Sequence, residues 1–354
     1  MSRTVRTTGG DPELAGLVHR VGCLPAWLVV AVVALASVVQ TVTGADPVLP
    51  PWLRYLPLAA SLVLFGLPHG AVDHLAPARA ADEPATARWL AGVGAVYLLL
   101  GGAYAALWAV APVASAALFV ALTWLHWGQG DLYTLDALGS GHLDGVGVRA
   151  GTLLVRGGLP MLVPLLRYPE RYRAVIDAWV ALFGRELGAA WLAAPDVRLG
   201  LGLGLAALTV GTLAAGYRAG GSGWRRDAGE TILLWAFFLV VPPLVAVGVY
   251  FCVWHSLRHV VRLVWIDDGA RAALATRGTA AALSRTGRDA APLTGVSILL
   301  LIGVGVAAGV DTDPRVLAAL YLVFVAVLTL PHVAVVTWMD RAETAGLGRT
   351  SAQQ

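Results

Sequence analysis

Charge is what this sequence has least of. Only 13% of its 354 residues are charged, against about 25% in an ordinary soluble domain. Hydrophobic residues make up 58% and the mean hydropathy is +0.72, which excludes a soluble globular chain. Lysine is absent, so all 25 basic residues are arginine; this reads as coding bias and carries no function. A net charge of +3, thinly spread, leaves no nucleic-acid footprint. There are only two cysteines, Cys23 and Cys252, both in apolar surroundings. They exclude a disulfide framework and read as packing residues. No soluble domain can be carved out, because the longest polar stretch is about 267–291.

What is present fits a membrane. Thirteen tryptophans and 41 glycines suit indoles at bilayer interfaces and closely approaching helices. Apolar runs recur at 24–42, 53–69, 88–110, 113–133, 148–166, 174–194, 197–217, 229–249, 250–266, 292–310 and 315–338. The first is longer than a signal-peptide core and is read as a spanning helix. The 174–194 run carries Asp177, Arg185 and Glu186 and suits an interfacial amphipathic helix better. The 229–249 and 250–266 runs join around Pro242-Pro243 and read as one broken element or two short ones. The expected fold is an all-α, polytopic integral membrane bundle of about eight to ten transmembrane helices. Residues 1–23 are expected to be a cytoplasmic tail, 24–340 a single transmembrane domain and 341–354 a polar C-terminal tail. Arg3, Arg6 and Arg20, the loop with Arg218, Arg225 and Arg226, and the stretch with Arg271, Arg277, Arg285 and Arg288 place those regions on the cytoplasmic side. The expected location is the cell (plasma) membrane, multi-pass.

Six of the eight histidines fall within or at the ends of apolar runs: His69, His74, His126, His255, His259 and His332. His19 and His142 sit in polar or glycine-rich contexts and are expected to be solvated. A single membrane histidine is more often a hydrogen-bonded packing residue than a ligand, but six ionisable rings at membrane depth are costly and point to a site. In Trp254-His255-Ser256-Leu257-Arg258-His259 the histidines are four apart, which stacks them on one helix face. A zinc protease would have glutamate after the first histidine; here it is Ser256. In Gly66–His74, Asp73 follows His69 by four and is placed to support its imidazole, whereas His74 points elsewhere unless the helix breaks. In Trp124–Asp131, His126 is flanked by Trp127, Gly128 and Gly130, glycines that would let the backbone bend, and Asp131 either supports His126 or marks the interface. Trp124, Trp127 and Tyr133 line a pocket or form an aromatic belt, with the belt as default. His69, His126, His255 and His259 thus offer four neutral nitrogens, a set suited to Fe, Zn, Cu or Ni and not to Mg or Ca. His332, after Pro331, is a further polar contact to the site or its pocket. Glu230 reads as a helix N-terminal residue.

Together the motifs GLPHGAVDH (66–74), HWGQGD (126–131), WHSLRH (254–259) and LPHVAVV (330–336) resemble the Brp/Blh family of membrane β-carotene 15,15′-dioxygenases over roughly residues 24–340. The resemblance implies a carotenoid cleavage dioxygenase that uses O2 to split β-carotene at its central double bond into two retinal. It implies a non-haem Fe(II) cofactor held by His69, His126, His255 and His259, with no other catalytic residue. Asp73, His74, Trp127, Asp131, Trp254 and His332 would lie around the metal or in the substrate pocket. Partners would be β-carotene, O2, membrane lipid and, downstream, a retinal-binding rhodopsin. Two rivals stand beside it. A di-iron membrane hydroxylase or desaturase would use about eight ligands including H-H pairs, and no H-H pair occurs. A transporter would use broken helices at Pro68, Pro242-Pro243 and Pro331 around a polar path.

Overall fold

The computed structural model describes residues 11–44 and 51–351. These form helices and no strand, as backbone polar groups in hydrocarbon demand. In chain order they are α1 (Pro12–Thr43), α2 (Leu56–Val63), α3 (Gly66–Ala71), α4 (Ala76–Ala80), α5 (Ala87–Val110), α6 (Pro112–Ala137), α7 (Val146–Arg167) and α8 (Pro169–Ala181). Then come α9 (Pro195–Ala219), α10 (Trp224–Val240), α11 (Pro243–Ile266), α12 (Asp268–Arg277), α13 (Thr279–Ala307) and α14 (Pro314–Ser351). Among the described residues, seven helices are long and apolar enough to cross a membrane: α1, α5, α7, α9, α11, α13 and α14 up to Glu343. The long α6 and α10 run in the same bundle. α6 is made less apolar by its His126–Asp131 segment, and α10 has 17 residues. The result is the expected all-α, multi-pass membrane bundle.

Two helix ends differ from the expected boundaries. α1 begins at Pro12, well before residue 24, because Asp11 caps it by accepting from the Glu13 and Leu14 amides and Leu14 and Leu17 are buried. The earlier part of the expected tail, including Arg3 and Arg6, lies outside the described residues, as do most of the loop after α1 and residues 352–354. α14 is one helix from Pro314 through Pro331 to Ser351, past the expected boundary at 340. The chain does break at Pro242-Pro243, where α10 ends and Pro243 starts α11, since proline cannot continue the helix before it but is tolerated in a first turn.

Lipid-facing and core-facing surfaces follow from side-chain size. α1 exposes Leu28, Val32 and Leu35 and buries Ala26 and Val30. α6 and α7 meet backbone to backbone: a Cβ at Gly128 would stand 2.2 Å from Leu153 O, and one at Gly157 1.8 Å from Trp124 O. Gly128 is therefore a helix-packing residue and not a bend, since α6 runs through to Ala137. α8 covers only the first part of the 174–194 stretch expected at an interface; it has 13 residues and buries Ile176, Trp179 and Val180 against the bundle. Cys23 and Cys252 are both buried and free.

Candidate metal centre

Four elements deliver histidines to one place. α3 carries His69, α6 His126, α11 both His255 and His259, and α14 His332; all five are buried. The ring of His69 meets those of His255, His259 and His332 at centroid distances of 5.5, 5.4 and 4.9 Å. His126 meets His255 at 4.7 Å and His332 at 4.8 Å, and His259 meets His332 at 5.4 Å. Within this cluster one ligand atom each from His69, His126 and His255 lies within 4.8 Å of the others. Three nitrogens about 2.1 Å from one ion stand about 3.4–3.6 Å apart, so each would move inward by less than about 1 Å to share a metal.

The hydrogen bonds fix which nitrogens are free. His69 Nδ1 faces the carbonyls of Gly66 and Phe65, which only accept, so Nδ1 carries the proton and Nε2 the lone pair. His332 Nδ1 donates to Asp73 Oδ2 at 2.7 Å, which leaves its Nε2 free too. The Nε2 atoms of His126, His255, His259 and His332 are buried without a hydrogen-bond partner. Buried nitrogens are rarely left so, and neutral imidazoles without a carboxylate among them fit a borderline transition metal. The donor set therefore suits such an ion.

Several sequence expectations are corrected by this geometry. Asp73 supports His332 and not His69: α3 ends at Ala71 and the chain turns, with the Asp73 amide bonded to Gly70 O. The same carboxylate oxygen accepts from Tyr97 OH at 2.6 Å. His74, as its spacing predicts, is not among the clustered rings: its Nδ1 donates to Ala71 O at 2.9 Å, and the residue lines the adjoining cavity. Asp131 does not reach His126; it accepts from Trp254 Nε1 at 3.0 Å and Arg258 Nη1 at 3.1 Å. Trp254 is fully buried under the Arg258 guanidinium, 4.0 Å from its ring centroid. Trp127 does line the site, 5.7 Å from His255. Tyr133 lies under Arg262, and Trp124 donates to Leu154 O.

Glu230 is no mere helix-end residue. It belongs to a buried network in which Arg156 pairs with Asp131, Asp227 and Glu230 at 3.3, 3.0 and 2.8 Å. Arg258 closes it through Asp131 and Glu230 at 3.1 and 2.7 Å, and Trp27 Nε1 donates to Glu230. His142 is buried rather than solvated, 3.1 Å from Asp227, and His19 packs edge-on against Trp27. A void of about 10 Å³ between cluster and network is lined by His126, Asp131, His255, Arg258 and His259; that is at the threshold for one water. Sequence reasoning missed Arg156, Arg258 and Tyr97. The signal for the two arginines was available, since each interrupts an apolar run where a charge must be paired.

On its other side the cluster forms part of the wall of a cavity of about 570 Å³, within the range of ligand pockets. Asp73, His74 and Tyr97 join His69, His126 and His332 on its polar side, and Phe119, Trp127, Trp179 and Phe251 are typical of the rest. An all-α membrane bundle with a metal-capable set of imidazoles beside a deep apolar cavity defines a membrane protein built to receive an apolar molecule at a reactive centre. The chain belongs to the β-carotene 15,15′-dioxygenase family, whose model matches residues 60–340. It is 54% identical over 323 residues to a Halobacterium salinarum protein named probable β-carotene 15,15′-dioxygenase Blh, covering 90% of this chain and 91% of that one. A second protein of that organism, named probable β-carotene 15,15′-dioxygenase Brp, is 31% identical over 350 residues, 90% of this chain and 96% of its own. A β-carotene 15,15′-dioxygenase of an uncultured marine bacterium is 27% identical over 209 residues, 58% of this chain and 68% of its own. No solved structure matches the chain.

Proposed function

We propose that this protein cleaves β-carotene at its central 15,15′ double bond, O2 supplying the oxygens of two retinal molecules. The reading holds that a non-haem Fe(II) is bound by His69, His126, His255 and His259, with His332 and Asp73 beside it. The observation that carries it is the row of unpartnered Nε2 atoms at an apolar cavity in a chain of this family. Bound iron would supply the redox chemistry that activates O2. The protein's own residues do three things. The Gly66 and Phe65 carbonyls hold His69 in the tautomer that presents Nε2, and Asp73 does the same for His332. The aromatic and aliphatic walls exclude water and align the polyene, whose length approaches the ~30 Å hydrocarbon core. The reaction balances without a protein acid or base: one C=C and one O2 become two C=O.

On this reading residues 24–340 act as one transmembrane domain in the cell membrane with a cytoplasmic N-terminus, and retinal passes to a rhodopsin-type protein. The test is expression in cells that make β-carotene. Loss of colour with retinal found by chromatography is expected, with one iron per chain; two irons and a hydroxylated or desaturated carotenoid would instead support the di-iron rival. Retained colour in cells holding folded, iron-loaded protein would overturn the proposal, and a transporter would move substrate unchanged. His255→Ala is expected to lose both iron and cleavage.

A further inference from the structure

The cavity has to be entered from somewhere, and the exposure of its lining shows where. Most lining residues are buried or half-buried, including those at the end formed by Met161, Tyr172, Trp179 and Pro243. The exposed ones are Leu90 and Gly94 on α5 and Leu293 and Val296 on α13; Leu90, Leu293 and Val296 are 41, 39 and 57% exposed. Both helices are long and apolar enough to cross a membrane. Around these residues they present Leu98, Leu99, Leu299 and Leu300 outward, so this face meets acyl chains and not water. α5 packs on α14 and α13 on α3, and Val93 and Tyr97 continue the lining inward from α5 towards Asp73 and His332.

We infer that the gap between α5 and α13 at Leu90, Gly94, Leu293 and Val296 is a lateral mouth through which a long apolar polyene passes from the bilayer to the histidines. The inference rests on the function proposed above for its substrate, though not on its chemistry. Gly94 is the residue to probe. A Cβ there would meet nothing within 4 Å, and the same is true of Gly92. Gly94 lines the cavity and Gly92, on the same helix, does not. A side chain can therefore start at either position; a phenyl group at 94 narrows the mouth, and one at 92 is a matched control.

The experiment places the full chain, wild type and variants, in bilayers containing β-carotene. It measures metal content, carotenoid held by the repurified protein through its visible absorbance, and turnover. Gly94→Phe and, on the opposite wall, Val296→Trp are expected to keep wild-type metal content. Both should lose at least about tenfold in carotenoid held and in turnover, while Gly92→Phe stays within about twofold. Wild-type uptake and turnover in both mouth variants would overturn the inference, as would an equal loss in Gly92→Phe. If the wild-type protein holds carotenoid but cleaves none, the proposed reaction fails and the mouth is judged on uptake alone.

Discussion

Two groups of buried polar side chains lie side by side in this bundle and satisfy themselves in opposite ways. In the network of Arg156, Arg258, Asp131, Asp227 and Glu230, every charge has an opposite charge within 3.3 Å. In the histidine cluster, four Nε2 atoms have no partner at all. The charges of the first group are paired within the protein, although Arg156 Nη1 and Arg258 Nε make no hydrogen bond, and its removal should be felt as lost stability. On the proposed function the second is completed by a metal, so its removal should be felt as lost binding and activity.

The largest effect that would sharpen this contrast is at His126, which has neither ring nitrogen hydrogen-bonded. His126→Ala is expected to fall below about a thousandth of wild-type turnover, some 4 kcal/mol of barrier, while melting close to wild type without metal. A large loss of apo-protein stability would break the comparison. Next comes Arg156→Met. Removing one partner of a buried ion network costs about 3–5 kcal/mol, read as denaturant resistance in detergent, yet the surviving folded protein should still bind one metal. Asp73→Asn is smaller: a carboxylate that orients an imidazole is worth about 10–100-fold in metal affinity or activity. Metal titration should show that drop, and an unchanged affinity would leave His332 outside the site. Smallest is Asp267, between α11 and α12. Burial pushes its carboxyl up, but hydrogen bonding from Arg285 and the charges of Arg79 and Arg285 outweigh this and hold it below its usual value. A depressed carboxylate contributes stability above its unfolded pKa and loses it as pH falls through the folded one. The melting temperature should therefore fall as pH drops through and below the ordinary carboxylate range, and Asp267→Asn should remove about 1 kcal/mol or less together with that dependence.

Much of this was legible in the residues. Run length and the scarcity of charge announced the bundle, and the break at Pro242-Pro243 was visible because proline lacks an amide to donate. The histidine motifs pointed to His69, His126, His255 and His259, all of which lie in the cluster. Partners were harder to read. Asp73 lies four residues after His69, but helical spacing does not hold once α3 ends at Ala71, so its true partner is 259 residues away. His332 looked peripheral for the same reason, although its ring touches three others. Arg156 and Arg258 were readable as costly charges, but their common partners Asp131 and Glu230 come from α6 and α10, and no local pattern joins them.

The wide π-helical turn at Tyr250–Ser256 holds one residue more than an α-helical path would, a form that recurs at functional sites. Each residue of a helix turns it by about 100°. Deleting one residue of that turn would return an ordinary α-helical path and keep Arg258 and His259 near their partners, so what the extra residue sets is the direction of the side chains inside the turn, His255 among them. Related chains with one residue fewer here should keep the helix and lose the placing of His255 beside His69 and His126.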